Sequence, residues 1–153
     1  LHGTKHSFPT RRSSDLGHPK MHHNGSGKFE STFLNVTIPK TNSVMLQSLE
    51  GARLGIWVAH GEGRFQLPSD ASRFQMAAVY SHQAYPGNPN DSDFSAAALT
   101  SHDGRHLAIM PHLERSLFPW NWPYYPSNRK GDQVSPWIEA FTNALDWVKE
   151  KKK

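Results

Sequence analysis

The pattern of apolar and polar positions divides the chain into short strands followed by one amphipathic helix. Residues 28–38 (KFESTFLNVTI) alternate in part and are rich in Phe, Thr and Val, which predicts a strand. A loop follows at residues 39–42, and residues 44–49 predict a short helix stopped at Gly51. Residues 54–59 (LGIWVA) are almost continuously apolar and predict a strand covered on both faces, broken into a tight loop by Gly61 and Gly63. Residues 75–80 predict another strand. Residues 85–93 are crowded with Pro, Gly, Asn and Asp and predict a loop. Residues 94–100 and 105–110 flank Asp103-Gly104, the strongest hairpin signal in the chain. The aromatic, Pro-rich stretch 118–128 predicts irregular structure. Ser135 as N-cap and Pro136 as first residue predict the start of a final helix. Within it Ile138, Phe141, Leu145 and Val148 recur at helical spacing, which predicts a core-facing stripe. The lysines at its end suit the negative pole of the helix dipole.

A length of 153 residues allows one domain. The formal charge of +4 is misleading as a clue to partners. Lys5, Arg11 and Arg12 against Asp15 put part of it in the first sixteen residues, and Lys149 with Lys151, Lys152 and Lys153 put the rest in the tail. The body between has no basic excess, so a nucleic-acid partner is not expected. No apolar run approaches the ~20 residues that span a bilayer, so a membrane partner is not expected either. The absence of cysteine excludes disulfides and zinc–thiolate sites within this sequence. Ten histidines invite a metal reading. They lack a ligand pattern such as H-E-x-x-H, and no metal site is expected.

The candidate chemistry lies in Ile109-Met110-Pro111-His112-Leu113-Glu114-Arg115-Ser116. On an extended backbone residues two apart point to one side, so Glu114 can hydrogen-bond one imidazole nitrogen of His112 and leave the other open. That is the base and orienter of a nucleophilic triad, an arrangement that usually serves a cysteine.

This segment resembles the M-P-H-P-E-R motif that closes the triad of class I (Cys-His-Glu) glutamine amidotransferases. Other segments fit in order. His23-Asn24-Gly25-Ser26-Gly27-Lys28-Phe29-Glu30 resembles N-x-S-x-x-F-E, and residues 54–63 resemble a strand ending in A-H-G-E-G. Tyr85-Pro86-Gly87-Asn88-Pro89-Asn90 resembles Y-P-x-N-P-N, and Asp103-Gly104-Arg105-His106 leads into the triad segment. Together they cover roughly residues 19–150. Within the class they are most similar to the glutaminase domains of the large, fused phosphoribosylformylglycinamidine synthases, an assignment to which the Trp/Pro-rich stretch and the long last helix contribute. Residues 1–16 instead resemble a translated sequencing adapter and are expected to be non-native, leaving residues 17–153 as a partial glutaminase domain.

The resemblance implies the C-terminal portion of a flavodoxin-like α/β domain, with a β-hairpin and a C-terminal helix. It implies that His112 is the base that activates a cysteine and later protonates ammonia, and that Glu114 orients it. His60, Glu62, Ser26, Phe29 and Glu30 would lie at the glutamine pocket. The family usually has proline where this chain has Leu113, which loosens a restraint on His112 but removes no catalytic group. The expected function is release of ammonia from glutamine for the ATP-dependent conversion of formylglycinamide ribonucleotide to its amidine in purine biosynthesis. The expected location is cytoplasmic. Expected partners are glutamine and the missing synthase domains of the same polypeptide. No cofactor is expected in this fragment, with ATP and magnesium bound by those other domains. Two other readings compete: a non-enzymatic amidotransferase-like binding module without a nucleophile, and another class I glutamine amidotransferase.

Overall fold

The structure, a computed structural model, describes residues 18–68 and 74–151. The segment 1–16, read above as non-native, lies outside the described residues. A five-stranded sheet runs in the order β3-β2-β5-β6-β7, with β2 Glu30–Thr37, β3 Arg53–His60, β5 Gln75–Tyr80, β6 Ala96–Thr100 and β7 Leu107–Ile109. Two three-residue strands, β1 Lys20–His22 and β4 Arg64–Gln66, form a separate ribbon. All of these pairings are antiparallel. Among the described residues one α-helix, α1 Ile138–Lys151, follows. The result is the mixed α/β portion with hairpin and C-terminal helix that the sequence leads one to expect.

The long pair β2–β3 is in register from Glu30 opposite His60 to Thr37 opposite Arg53. Alternation sends Val36, Ile56 and Val58 into the main core with Ile38, Tyr80 and Trp137. The opposite face carries Phe33 and Trp57, and the Trp/Pro-rich stretch covers it. Phe33 lies 5.2 Å from both the Trp57 and the Trp122 ring. Gly55 is required there, because a Cβ would overlap the Phe33 ring and stand 2.9 Å from Trp122 Cζ3. The expectation that residues 54–59 are covered on both faces is met in part, with Gly55, Ile56 and Val58 buried and Leu54, Trp57 and Ala59 half-buried; among the described residues β2 is the one strand paired with β3, which sits at the sheet edge.

The expected hairpin is β6–β7, with Thr100 opposite Leu107. Gly104 takes the positive φ of +72° that the turn needs. The short helix expected at 44–49 is reduced to a 3-10 turn at Gln47–Leu49, which buries Leu49 and ends before Gly51 at φ +80°. Ser135 Oγ accepts the Trp137 N–H at 3.2 Å, the capping role expected of it. Trp137 is fully buried and its indole donates to the Gly55 carbonyl at 2.7 Å, which pins the helix to β3.

The stripe along α1 departs from expectation. Phe141, Leu145 and Val148 are 41%, 53% and 42% exposed, while the residue buried within the helix is Ala140. The helix packs through its first turns, where Asn143 donates to the Met45 carbonyl at 2.9 Å and to Ser48 Oγ at 2.7 Å. Helical spacing reports which residues share a face, and not whether that face is covered.

Candidate active site

His112 leaves β7 through Met110 and Pro111 with extended φ/ψ (−96°, 97°), and Leu113–Arg115 then close into a 3-10 turn. The pair is therefore brought together by a turn, and not by a continuing strand as the two-residue spacing suggested. His112 Nδ1 lies 2.7 Å from Glu114 Oε1. A carboxylate only accepts, so Nδ1 carries the hydrogen and Nε2 is the open, basic nitrogen. Leu113, where the motif usually has proline, is buried against the main core and anchors the turn by packing. Arg115 Nε lies 3.8 Å from the same Glu114 oxygen, so the carboxylate faces two cationic partners when His112 is protonated.

The backbone of this turn is fastened to the open edge of β3. The His112 N–H donates to the Trp57 carbonyl at 2.7 Å, an isolated antiparallel bridge. A cavity of about 410 Å³ opens beside it, walled by Ser31, Trp57, Ala59, Glu114, Arg115 and Asn121.

Behind the pair stands His60, at the end of β3 and opposite Glu30 of β2. Both ring nitrogens of His60 and Glu30 Oε1 are shielded from solvent with no hydrogen-bond partner among the described residues. Burial, and after it the charge of His112, lower the His60 pKa, which keeps this imidazole neutral. The ring packs on Gly63, where a Cβ would overlap it and stand 2.9 Å from Asn90 Nδ2.

The His60–Gly63 turn is held by an asparagine clamp. Asn24 is 4% exposed. Its side chain donates to the carbonyls of His60 at 2.7 Å and Lys28 at 2.9 Å, and accepts the Gly63 N–H at 3.1 Å. Asn90, fully buried, donates to the Gly63 carbonyl at 3.0 Å and to the Tyr80 hydroxyl at 2.7 Å. Burial raises the Tyr80 pKa, so the phenol stays protonated.

Of the residues singled out in the sequence, the structure groups His112, Glu114, His60 and Glu30. Ser26, Phe29 and Glu62 sit on the rim of the clamp. Among the described residues Ser26 Oγ accepts only the Lys28 N–H, at 3.3 Å, and Phe29 is 67% exposed with its ring 3.9 Å from the position of a Gly61 Cβ. Glu62 is exposed and 3.5 Å from His23 Nδ1. Sequence reasoning missed Ser116, which is fully buried, and the edge residue Trp57. A lone serine after the motif carries no signal of its own; only the fold shows what it touches.

Residues 5–148 match the family described as CobB/CobQ-like glutamine amidotransferase domain, and the chain belongs to that family. Several curated relatives are named for one synthase. The chain is 41% identical over 152 residues to the probable phosphoribosylformylglycinamidine synthase, chloroplastic/mitochondrial, of Arabidopsis thaliana, covering 89% of this chain and 11% of that protein. It is 40% identical over 153 residues to the phosphoribosylformylglycinamidine synthase of Dictyostelium discoideum, with the same two coverages, and 39% identical over 142 residues to that of Homo sapiens, covering 85% of this chain and 11% of that protein. The chain thus spans about a tenth of the length of these relatives. A solved structure titled "Structure of PurLQS from Thermotoga maritima" superposes with a TM-score of 0.63 at 22% identity, covering 87% of this chain and 54% of that one, which shows the shared fold. No helix among the described residues is long and apolar enough to cross a membrane.

Proposed function

We propose that this chain carries the base and orienting carboxylate of the glutaminase site in a phosphoribosylformylglycinamidine synthase. The observation that carries the reading is the 2.7 Å contact between His112 Nδ1 and Glu114 Oε1, with the pair set beside a cavity. The sequence has no cysteine, so the nucleophile of this reading lies outside it. His112 Nε2 takes the thiol proton, and the thiolate attacks the side-chain amide carbon of glutamine. Collapse of the tetrahedral adduct expels the nitrogen, which receives that proton and leaves as ammonia. Water then opens the glutamyl thioester, with His112 as base again, and releases glutamate. Glu114 holds the imidazole in its Nδ1–H tautomer and stabilises its charged form.

In this reading Glu30 and His60 belong to the glutamine site; neither lines the cavity beside Glu114, and the support is their unpartnered buried atoms, which a polar ligand would satisfy. Ser26, Phe29 and Glu62 form the outer rim of that pocket. ATP, magnesium and the ribonucleotide bind to other domains of the same polypeptide, and the compartment of this reading is the cytoplasm. In the full-length polypeptide, His112→Ala cuts glutamine hydrolysis by about 10²–10⁴-fold, the usual cost of a lost general acid–base. Glu114→Ala costs less, because it transfers no proton. Equal or inverted losses in soluble proteins would contradict these roles. The competing reading, a binding module without chemistry, is favoured by the lack of cysteine alone; an in-frame Gly-x-Cys-x-Gly-like elbow upstream in the gene would dismiss it.

A further inference from the structure

Ser116 is not used by the chemistry above, yet its side chain and peptide make five hydrogen bonds around the site. It is fully buried. Its hydroxyl donates to the His112 carbonyl at 3.2 Å and accepts the Trp57 N–H at 3.2 Å. With the bond from the His112 N–H to the Trp57 carbonyl at 2.7 Å, the peptide units on both sides of His112 are tied to one residue of β3. The Ser116 N–H closes the turn onto the Leu113 carbonyl at 2.9 Å. Its carbonyl accepts two further bonds, from Trp122 Nε1 at 2.8 Å and from Ser135 Oγ at 2.6 Å. The sheet edge, the His112 turn, the Trp-rich stretch and the start of α1 therefore meet at this one side chain and its peptide.

We propose that Ser116 is a positioning residue for His112. The proposal rests on the glutaminase reading. β3 is the edge strand, so among the described residues this bridge is the backbone pairing that ties the turn to β3, alongside the packing of Leu113 on the core. A hydroxyl is suited to the task because it donates and accepts at once, and so links the His112 carbonyl to the Trp57 amide across a gap that neither group bridges alone. Alanine fits the same space but leaves both part-buried groups without this partner. The turn can then relax by a fraction of an ångström, and Nε2 moves relative to a nucleophile and substrate held by other elements. Such displacement is expensive in rate, with ~1 Å costing on the order of 10²-fold. The Trp122 and Ser135 bonds restrain the Ser116 peptide from the far side, so the loss in Ser116→Ala falls on the His112 side of the hub.

The test compares Ser116→Ala, Trp122→Phe and His112→Ala with the wild type in the full-length polypeptide. Rates are measured with glutamine and with free ammonia as nitrogen source. Positioning predicts that Ser116→Ala lowers the glutamine-dependent kcat by about tenfold, with KM for glutamine within about twofold and the ammonia-dependent rate unchanged. Trp122→Phe, which keeps the hydroxyl bridge and removes one restraint on the Ser116 carbonyl, shows a smaller loss of the same kind. Amide hydrogen exchange accelerates at Trp57 and His112 in Ser116→Ala and stays at wild-type rates elsewhere. Wild-type kcat in Ser116→Ala, or parallel loss of both nitrogen sources with exchange accelerated throughout, overturns the proposal. A His112→Ala variant that retains glutamine-dependent activity overturns the glutaminase reading instead, so the two failures are distinguishable.

Discussion

Asn24→Ala is the sharpest test of how the site is built. The side chain makes three hydrogen bonds, two donated and one accepted, all to the backbone of the His60–Gly63 turn or of the segment leading into β2. At about 1 kcal/mol net for each, their loss amounts to about 3 kcal/mol. The Gly63 N–H is left buried without its acceptor, which keeps the estimate from falling lower. For a chain of this size each kcal/mol moves the melting midpoint by about 2–4 °C, so the expected drop is about 6–12 °C. The assay is thermal denaturation of the 153-residue chain followed by near-ultraviolet circular dichroism, to which its five tryptophans contribute. Ser26→Ala is the control: that hydroxyl accepts one exposed amide at 3.3 Å, and its loss shifts the midpoint by less than about 2 °C. A drop in Asn24→Ala no larger than the control's would refute the claim that this amide organises the turn beneath His60.

Gly63→Ala forces a Cβ into the His60 ring, and overpacking of this kind costs about 1–3 kcal/mol, read as a lower urea midpoint at unchanged slope. Stability is also pH-dependent through His60, whose folded pKa is lowered by burial and then by His112. Its protonation therefore favours the unfolded chain: its contribution is full above the unfolded pKa of about 6.5 and is lost as the pH falls toward the folded value. His60→Gln should flatten that acid-side decline in melting temperature, and an unchanged slope would remove His60 as its source. The exposed Phe141–Leu145–Val148 face and the open edge of β3 predict concentration-dependent self-association. Leu145→Lys should weaken it in sedimentation equilibrium while moving stability by less than about 0.5 kcal/mol.

Local pattern was legible where one residue type answers to one local demand. Asp103-Gly104 announced the turn between β6 and β7, Ser135 announced its cap, and the alternation in β2 fixed which side chains reach the core. The His112–Glu114 contact was legible from the spacing of the two residues, although its geometry comes from a 3-10 turn. What stayed illegible depends on neighbours distant in sequence. The apolar spacing of Ile138, Phe141, Leu145 and Val148 is the same whether the face is packed or bare. The apolar run at 54–59 reads alike at the centre or the edge of a sheet, since Trp122 covers one face from 63 residues or more away in the chain. Ser116 gathers its partners from positions 57, 112, 122 and 135, and no window along the sequence contains them.

The central claim is that His112 serves the release of ammonia from glutamine and nothing downstream of it. The measurement is the ratio of glutamine-fed to ammonia-fed synthesis in the full-length polypeptide, wild type against His112→Ala. The account predicts that this ratio falls by about 10²–10⁴-fold, entirely through the glutamine-fed rate, because free ammonia bypasses the thioester step. An unchanged ratio, whether both rates survive or both collapse in a folded protein, would contradict it and return His112 to a structural role.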